Sequence, residues 1–233
     1  IVLLGALGWL VLGPKEPPPP PPATSVETRV RFASFDGSVH VKPAGTLEWK
    51  AATLAMVLKQ NDLVRTGAGA TAEILFADGM KINVRPATLI TIVESSQNPV
   101  SRQQRTALAV QSGEANFQTA ARAGNTTIST PTLRTTASQD TTGNIQVAES
   151  GETGLRIFKG QGEAETRSGQ KVRLVANQGV TVDPEGTAGP TVDLPTVPLL
   201  TAPPNRADIT YEDLPRSVTL LVWNPVPGAS GYR

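Results

Sequence analysis

From Val26 to Val182 apolar and polar side chains alternate in short runs, each closed by a turn signal. Val39 and Val41 flank His40 after Asp36-Gly37, Ala72, Ile74 and Phe76 share one face before Asp78-Gly79, and Ile82 and Val84 alternate with Lys81, Asn83 and Arg85. Leu108 and Val110 then run up to Ser112-Gly113, Ile145 and Val147 follow Gly143-Asn144, Leu155 and Ile157 lead into Lys159-Gly160, and Val172, Leu174 and Ala176 follow Ser168-Gly169. Successive side chains of a strand point to opposite faces, so a period of two predicts strands. The Asp-Gly, Ser-Gly and Gly-Asn pairs supply the positive φ that tight hairpins require. Strands about ten residues apart, with no helical period between them, predict an all-β domain of antiparallel hairpins wound into a twisted solenoid-like or sandwich sheet.

One stretch breaks the rhythm. Leu47, Ala51, Leu54 and Leu58 recur at helical spacing, so pattern alone reads Thr46 to Gln60 as a helix. Beyond Val182, Asp183-Pro184, Gly189-Pro190, Pro195, Pro198 and Pro203-Pro204 exclude central strands and predict a Pro-rich extended linker over 183–213.

Ahead of the alternating body, Ile1 to Gly13 (IVLLGALGWLVLG) is uncharged over thirteen residues. Crossing a bilayer takes about 20 residues, so the run is part of a span, the apolar core of a signal peptide, or a buried helix. A signal peptide closes on small residues, whereas this run closes on Gly13-Pro14-Lys15-Glu16, and a buried helix keeps a polar face that is missing here. The expectation is the C-terminal part of a single transmembrane helix at 1–13, in contact with membrane lipid. A Pro-rich spacer follows at 14–25, in which Pro17 to Pro22 form a polyproline II rod of about 19 Å.

Composition narrows the function classes. Aromatic residues make up 4% of the chain and hydrophobic ones 39%, so the core is built from Val, Ile, Leu and Ala. The 21 basic and 20 acidic residues leave a formal charge of +1 with no basic run, which argues against nucleic acid as a partner. With no cysteine, disulfides, thiolate metal sites and cysteine nucleophiles are excluded together.

The segment Asn61-Asp62-Leu63-Val64-Arg65-Thr66-Gly67-Ala68-Gly69-Ala70-Thr71-Ala72-Glu73-Ile74-Leu75-Phe76-Ala77-Asp78-Gly79 resembles the signature of the FecR-like domain family. That signature reads Gly-Asp, an apolar pair, Arg-Thr-Gly, small residues, and an alternating strand ending in Asp-Gly. Gly37-Ser38-Val39, Gly113-Glu114-Ala115-Asn116-Phe117, Ile128-Ser129-Thr130-Pro131 and Val172 to Val180 resemble further pieces in the same order, together covering about 35–182. The resemblance implies a periplasmic all-β domain of hairpins, here 26–182, and places strand and loop rather than helix over 46–60. The family's best-known members are inner-membrane transducers that relay a receptor's state to a sigma-factor regulator; others are anchored envelope proteins. The chain departs from the pattern at Ala137 to Gly143, where the family has a Gly-Thr step. It also departs after the domain, where Ser217 to Trp223, Asn224-Pro225 and Gly231-Tyr232 resemble the start of a fibronectin type III-like β module over 214–233.

Candidate chemistry is sparse. His40, the only histidine, lies between Val39 and Val41 with its side chain on the opposite face, and a metal site would need further ligands. Within the signature, Asp62, Arg65, Thr66, Gly67, Asp78 and Gly79 read as structural residues: the two aspartates begin turns and Arg65 covers apolar surface. Asp62, Arg65 and Asp78 could otherwise form an anion or ligand site. Gly67-Ala68-Gly69 and Gly160-Gln161-Gly162 are not followed by a helix carrying Lys-Ser or Lys-Thr and read as turns, not phosphate loops. Trp49 and Trp223 are the candidates for stacking on a sugar, though both are expected to pack in cores.

These readings predict a non-enzymatic protein without cofactor or metal, single-pass in the bacterial inner membrane with its β domain in the periplasm. Its expected partners are membrane lipid through 1–13 and other envelope or inner-membrane proteins, as an interaction or scaffold protein, an accessory subunit of a larger assembly. The alternatives are a FecR-type transducer regulating a sigma factor and a cell-wall glycan binder.

Overall fold

A computed structural model describes residues 26–121, 124–196, 198–202 and 220–227. The segments 1–13 and 14–25 lie outside the described residues, as do 203–219 and 228–233. Among the described residues no helix is long and apolar enough to cross a membrane.

Among the described residues every regular element is a strand: β1 (Val26–Glu27), β2 (Val30–Asp36), β3 (Val39–Lys42), β4 (Lys50–Ala51), β5 (Val57–Leu58), β6 (Leu63–Thr66), β7 (Thr71–Leu75), β8 (Lys81–Val84), β9 (Leu89–Gln97) and β10 (Gln104–Gln118). The chain continues through β11 (Asn125–Ser129), β12 (Leu133–Ala137), β13 (Thr142–Val147), β14 (Thr153–Lys159), β15 (Gln161–Thr166), β16 (Lys171–Val175), β17 (Gln178–Val182), β18 (Val192–Asp193), β19 (Leu200–Ala202) and β20 (Val222–Trp223). The helical spacing over 46–60 does not yield a helix. Lys50–Ala51 pairs with β3 and Val57–Leu58 with β2, so this stretch joins the first edges of two sheets.

The first sheet runs β4-β3-β6-β9-β10-β11-β12-β15-β16, with β1 on the far end of β9 beside β6. The second runs β5-β2-β7-β8-β10-β13-β14-β17-β18. The pairings close no ring, so these are two open sheets joined through β10. That strand pairs with β9 up to Ser112, with β13 from Gly113 onward and with β8 from Ala115 onward. All pairs are antiparallel but one. Because β10 crosses into the second sheet, the chain returns to the first at the end where β10 began, and β11 therefore lies parallel to β10. β19 and β20 form a separate two-stranded sheet.

The alternating positions face inward between the sheets. Val64, Ile90, Ile92, Leu108 and Val110 come from the first sheet and Ile74, Ile82, Phe117, Ile145, Leu155 and Ile157 from the second; all belong to one core and are essentially inaccessible. Ala176 departs from its predicted face. β16 ends at Val175, which leaves Ala176 exposed in the turn.

At the corners the chain passes from one sheet to the other and backbone groups lose their ladder partners, which a buried chain must replace. Threonine hydroxyls do this along both edges. Thr66 Oγ1 donates to the Arg85 carbonyl at 2.6 Å and accepts the Thr88 N–H at 3.0 Å, while Thr88 Oγ1 accepts the Glu114 N–H at 2.9 Å. On the opposite edge Thr119 Oγ1 donates to the Ser138 carbonyl at 2.7 Å and accepts the Thr141 N–H at 2.8 Å, and Thr141 Oγ1 accepts the Gln161 N–H at 3.3 Å. Ala137 to Gly143, where the sequence departs from the family pattern, is thus a corner built like the one before it.

Candidate functional site

The signature residues sit at the start of β6 and at the turn between β7 and β8. Asp62 precedes β6 and is buried, 5% exposed. Its carboxylate accepts the Ala44 N–H at 2.8 Å and the Lys59 N–H at 2.9 Å, drawing together the two ends of the 43–60 stretch. Asp62→Ala leaves both N–H groups without that acceptor, and each orphaned group costs about 1–3 kcal/mol. The expected outcome is fast hydrogen exchange at Ala44 and Lys59 with the exchange of β13 and β14 amides unchanged.

Arg65 and Thr66 point to opposite faces of β6. Arg65 lies outside, opposite His40 and Leu89 on the neighbouring strands, with its guanidinium 4.4 Å from the centre of the Trp49 ring. Lys42 Nζ is 5.7 Å from the same ring. Trp49 is therefore not a core residue. It lies half-buried on the outer face of the first sheet, beside the edge strand β4. Trp223, on β20, is exposed as well. His40 faces outward between buried Val39 and Val41, and its Nδ1 is 3.5 Å from Ser38 Oγ. Thr66 turns inward to begin the corner ladder, and the Gly67 N–H donates to the Ser38 carbonyl at 2.8 Å.

Asp78 stands apart from this group. Its Oδ1 accepts the Met80 N–H at 2.9 Å and its Oδ2 accepts the Thr106 hydroxyl at 2.7 Å, which ties the β7–β8 turn to β10 across the corner. Gly79, with φ of 84°, completes the turn. Among the described residues no hydrogen bond or ion pair links Asp62, Arg65 and Asp78. Both aspartates accept from fixed donors.

Two features escape a linear reading. One is a polar row across the outside of the second sheet. Asn144 Nδ2 donates to Glu114 Oε1 at 2.8 Å and Asn116 Oδ1 at 2.9 Å, and Arg156 donates to Asn144 Oδ1 at 3.1 Å. It is assembled by strand register, which local sequence does not carry. The other is the corner threonines, whose signal was available: Thr66 and Thr88 are separated by 22 residues, and so are Thr119 and Thr141. On the outside of the first sheet a cleft of about 350 Å³ lies beside the Thr130-Pro131-Thr132 hairpin, rimmed by Arg134, Glu165 and Arg167. No group of three or more His, Cys, Asp or Glu residues is placed to hold a metal among the described residues.

Residues 62–163 match the family described as FecR protein. The chain carries a FecR domain. The matched range starts at Asp62 and contains both corner ladders, from Thr66 to Gln161. Upstream, β2 and β3 pair with β7 and β6, and downstream β16 and β17 extend the two sheets, so the β domain continues on both sides of the FecR match. Two crystal structures of a proposed anti-sigma factor from Parabacteroides distasonis align with part of this chain. Each aligns over 57% of this chain and 59% of that one at 13% identity, with TM-scores of 0.46 and 0.48. The chain thus spans less than two thirds of that protein's length. A comparison with curated proteins found no match.

Proposed function

We propose that this protein is a FecR-type transmembrane signal transducer: the β domain stands in the periplasm, is held at the inner membrane by residues 1–13, and passes a receptor's state to a regulator of a sigma factor. The observation that carries this reading is the FecR match over 62–163, placed after an uncharged apolar run and a proline spacer. The β domain supports it by what it offers a partner. Outward strand faces, such as that of Arg65, Trp49 and Lys42, and short edge strands are surfaces for protein recognition rather than for a reaction.

Deleting the gene in its own cell and sequencing the RNA tests the proposal. A transducer predicts a coordinated change in one set of transcripts that share a promoter type. An unchanged transcriptome overturns it.

The second reading is an accessory or scaffold subunit of an inner-membrane assembly. It is favoured by the Pro-rich stretch and Trp-containing strand that follow the domain, where a transducer carries a receptor-docking region. Mild-detergent purification separates the two, since a subunit co-migrates with its assembly whether or not transcription changes.

A further inference from the structure

The geometry points to a membrane-surface contact at the end of the β domain where the chain arrives from residues 1–25: two loop tips and the start of β1 rest among the headgroups and upper acyl carbons of an anionic bilayer. The inference rests on the reading of 1–13 as a membrane anchor.

Topology gathers the tips. β1 pairs with Ser96 and Gln97, the last residues of β9, immediately before the Asn98–Gln103 turn into β10. β3 ends and β6 begins at this same end, since Lys42 lies opposite Leu63 and Leu63 opposite Thr91. The Glu27 carboxylate accepts the Gln60 N–H at 3.1 Å, joining the arriving strand to the base of the 43–60 stretch. Three apolar side chains on separate segments therefore face solvent at one end: Val26 at 58% exposure, Leu47 at 93% and Val100 at 81%.

The tips that carry Leu47 and Val100 are ordered. Asn98 Oδ1 accepts the N–H groups of Val100 and Ser101, each at 2.9 Å, and Asp62 holds Ala44. Around them stand the exposed cations Arg29, Lys59, Arg102 and Arg105, with Lys42 half-buried beside Trp49; of the carboxylates near these segments, Glu27 and Glu48 are exposed, Glu94 and Asp78 half-buried and Asp62 buried. Of these, Glu94 accepts the Ser96 hydroxyl at 2.6 Å. Protruding aliphatic side chains among exposed charges that are mostly cationic match an anionic leaflet, which attracts Lys and Arg while its boundary accepts apolar groups.

The tether makes a weak surface sufficient. Twelve residues, 14–25, span at most about 43 Å at full extension, so an anchor at 1–13 keeps the domain near the bilayer at an effective concentration on the order of millimolar. The other end of the fold differs in position and character. Val147 pairs with Gly113, far along β10 from the Asn98–Gln103 turn, so the Ala148–Glu152 turn that follows points away and carries Glu149 and Glu152.

The absence of cysteine permits single-site labelling of the full chain. Leu47→Cys, Val100→Cys and Glu149→Cys, each carrying an environment-sensitive dye, are incorporated into phosphatidylglycerol-containing vesicles and floated on a density gradient. The expected result is flotation of all three, with several-fold weaker iodide quenching at positions 47 and 100 than at 149, and a smaller difference in wholly zwitterionic phosphatidylcholine vesicles. Flotation with equal quenching at the three positions overturns the surface contact and leaves the anchor standing. Failure to float overturns the anchor reading and this inference with it. Protection that arises only when membrane proteins are added assigns the tips to a protein partner and overturns the lipid contact.

Discussion

Gly113→Ala is expected to lower the free energy of unfolding by about 3 kcal/mol or more. Gly113 is the hinge at which β10 leaves the first sheet for the second, with φ of 88°. A Cβ there would lie 2.6 Å from Thr88 Cα and 2.8 Å from the Ala87 carbonyl oxygen, both backbone atoms of the adjoining corner. Relief of that overlap moves Thr88, whose hydroxyl accepts the Glu114 N–H, so the change strikes the conformation and the hydrogen bonds of the corner together. Gly169→Ala is the matched control. Gly169 has φ of 87° and no atom within 4 Å of an added Cβ, so only the left-handed penalty of about 1–2 kcal/mol applies. Chemical denaturation of the two variants measures the difference; equal losses would show that the corner tolerates a side chain.

Phe117→Ala is expected to cost about 3–5 kcal/mol, whereas Trp49→Ala costs less than about 1 kcal/mol. Phe117 is 1% exposed at the centre of the core, and its ring fills the space above Gly143: a Cβ on Gly143 would fall 2.5 Å from Phe117 Cζ. Truncation leaves a cavity that sheets pinned by their ladders cannot close. Trp49 is the larger side chain, yet it lies half-buried on the sheet's outer face, where truncation loses its contacts with Arg65 and Lys42 and opens no core cavity. Denaturant midpoints of both variants check the order, and a greater loss at Trp49 would contradict the placement of β4 at the sheet edge.

Placing the aromatic residues required the fold. In a chain with 4% aromatics, each large ring invites assignment to the core, and Trp49 and Trp223 do not follow that expectation. Phe117 does, because it sits in an alternating run with Ala115 and both are buried. The signature was more legible. Asp62, Thr66, Gly67, Asp78 and Gly79 all lie where chain direction changes, and turns are encoded locally by residues that accept nearby N–H groups or adopt positive φ. Arg65 was partly legible: its outward direction follows from strand period, but its companion on the ring, Lys42, comes from a strand more than twenty positions earlier. The 46–60 stretch marks the limit of pattern. Leu47 and Leu54 are exposed and Leu58 is buried, so their helical spacing reflects no common face.

By itself the sequence determined that the domain is all-β, which side chains of most runs face inward, and where most runs end. Those properties depend on a strand period of two and on turn residues that act within a few positions. Only the tertiary structure decided that the strands sort into two open sheets, that β10 serves both by bending at Gly113, and that β11 consequently lies parallel to it. It also decided that Val26 lies opposite Gln97, next to the turn that carries Val100. Strand partners such as β3 and β6, or β12 and β15, are separated by long intervals of chain, and their register is set by how two inward faces pack against each other.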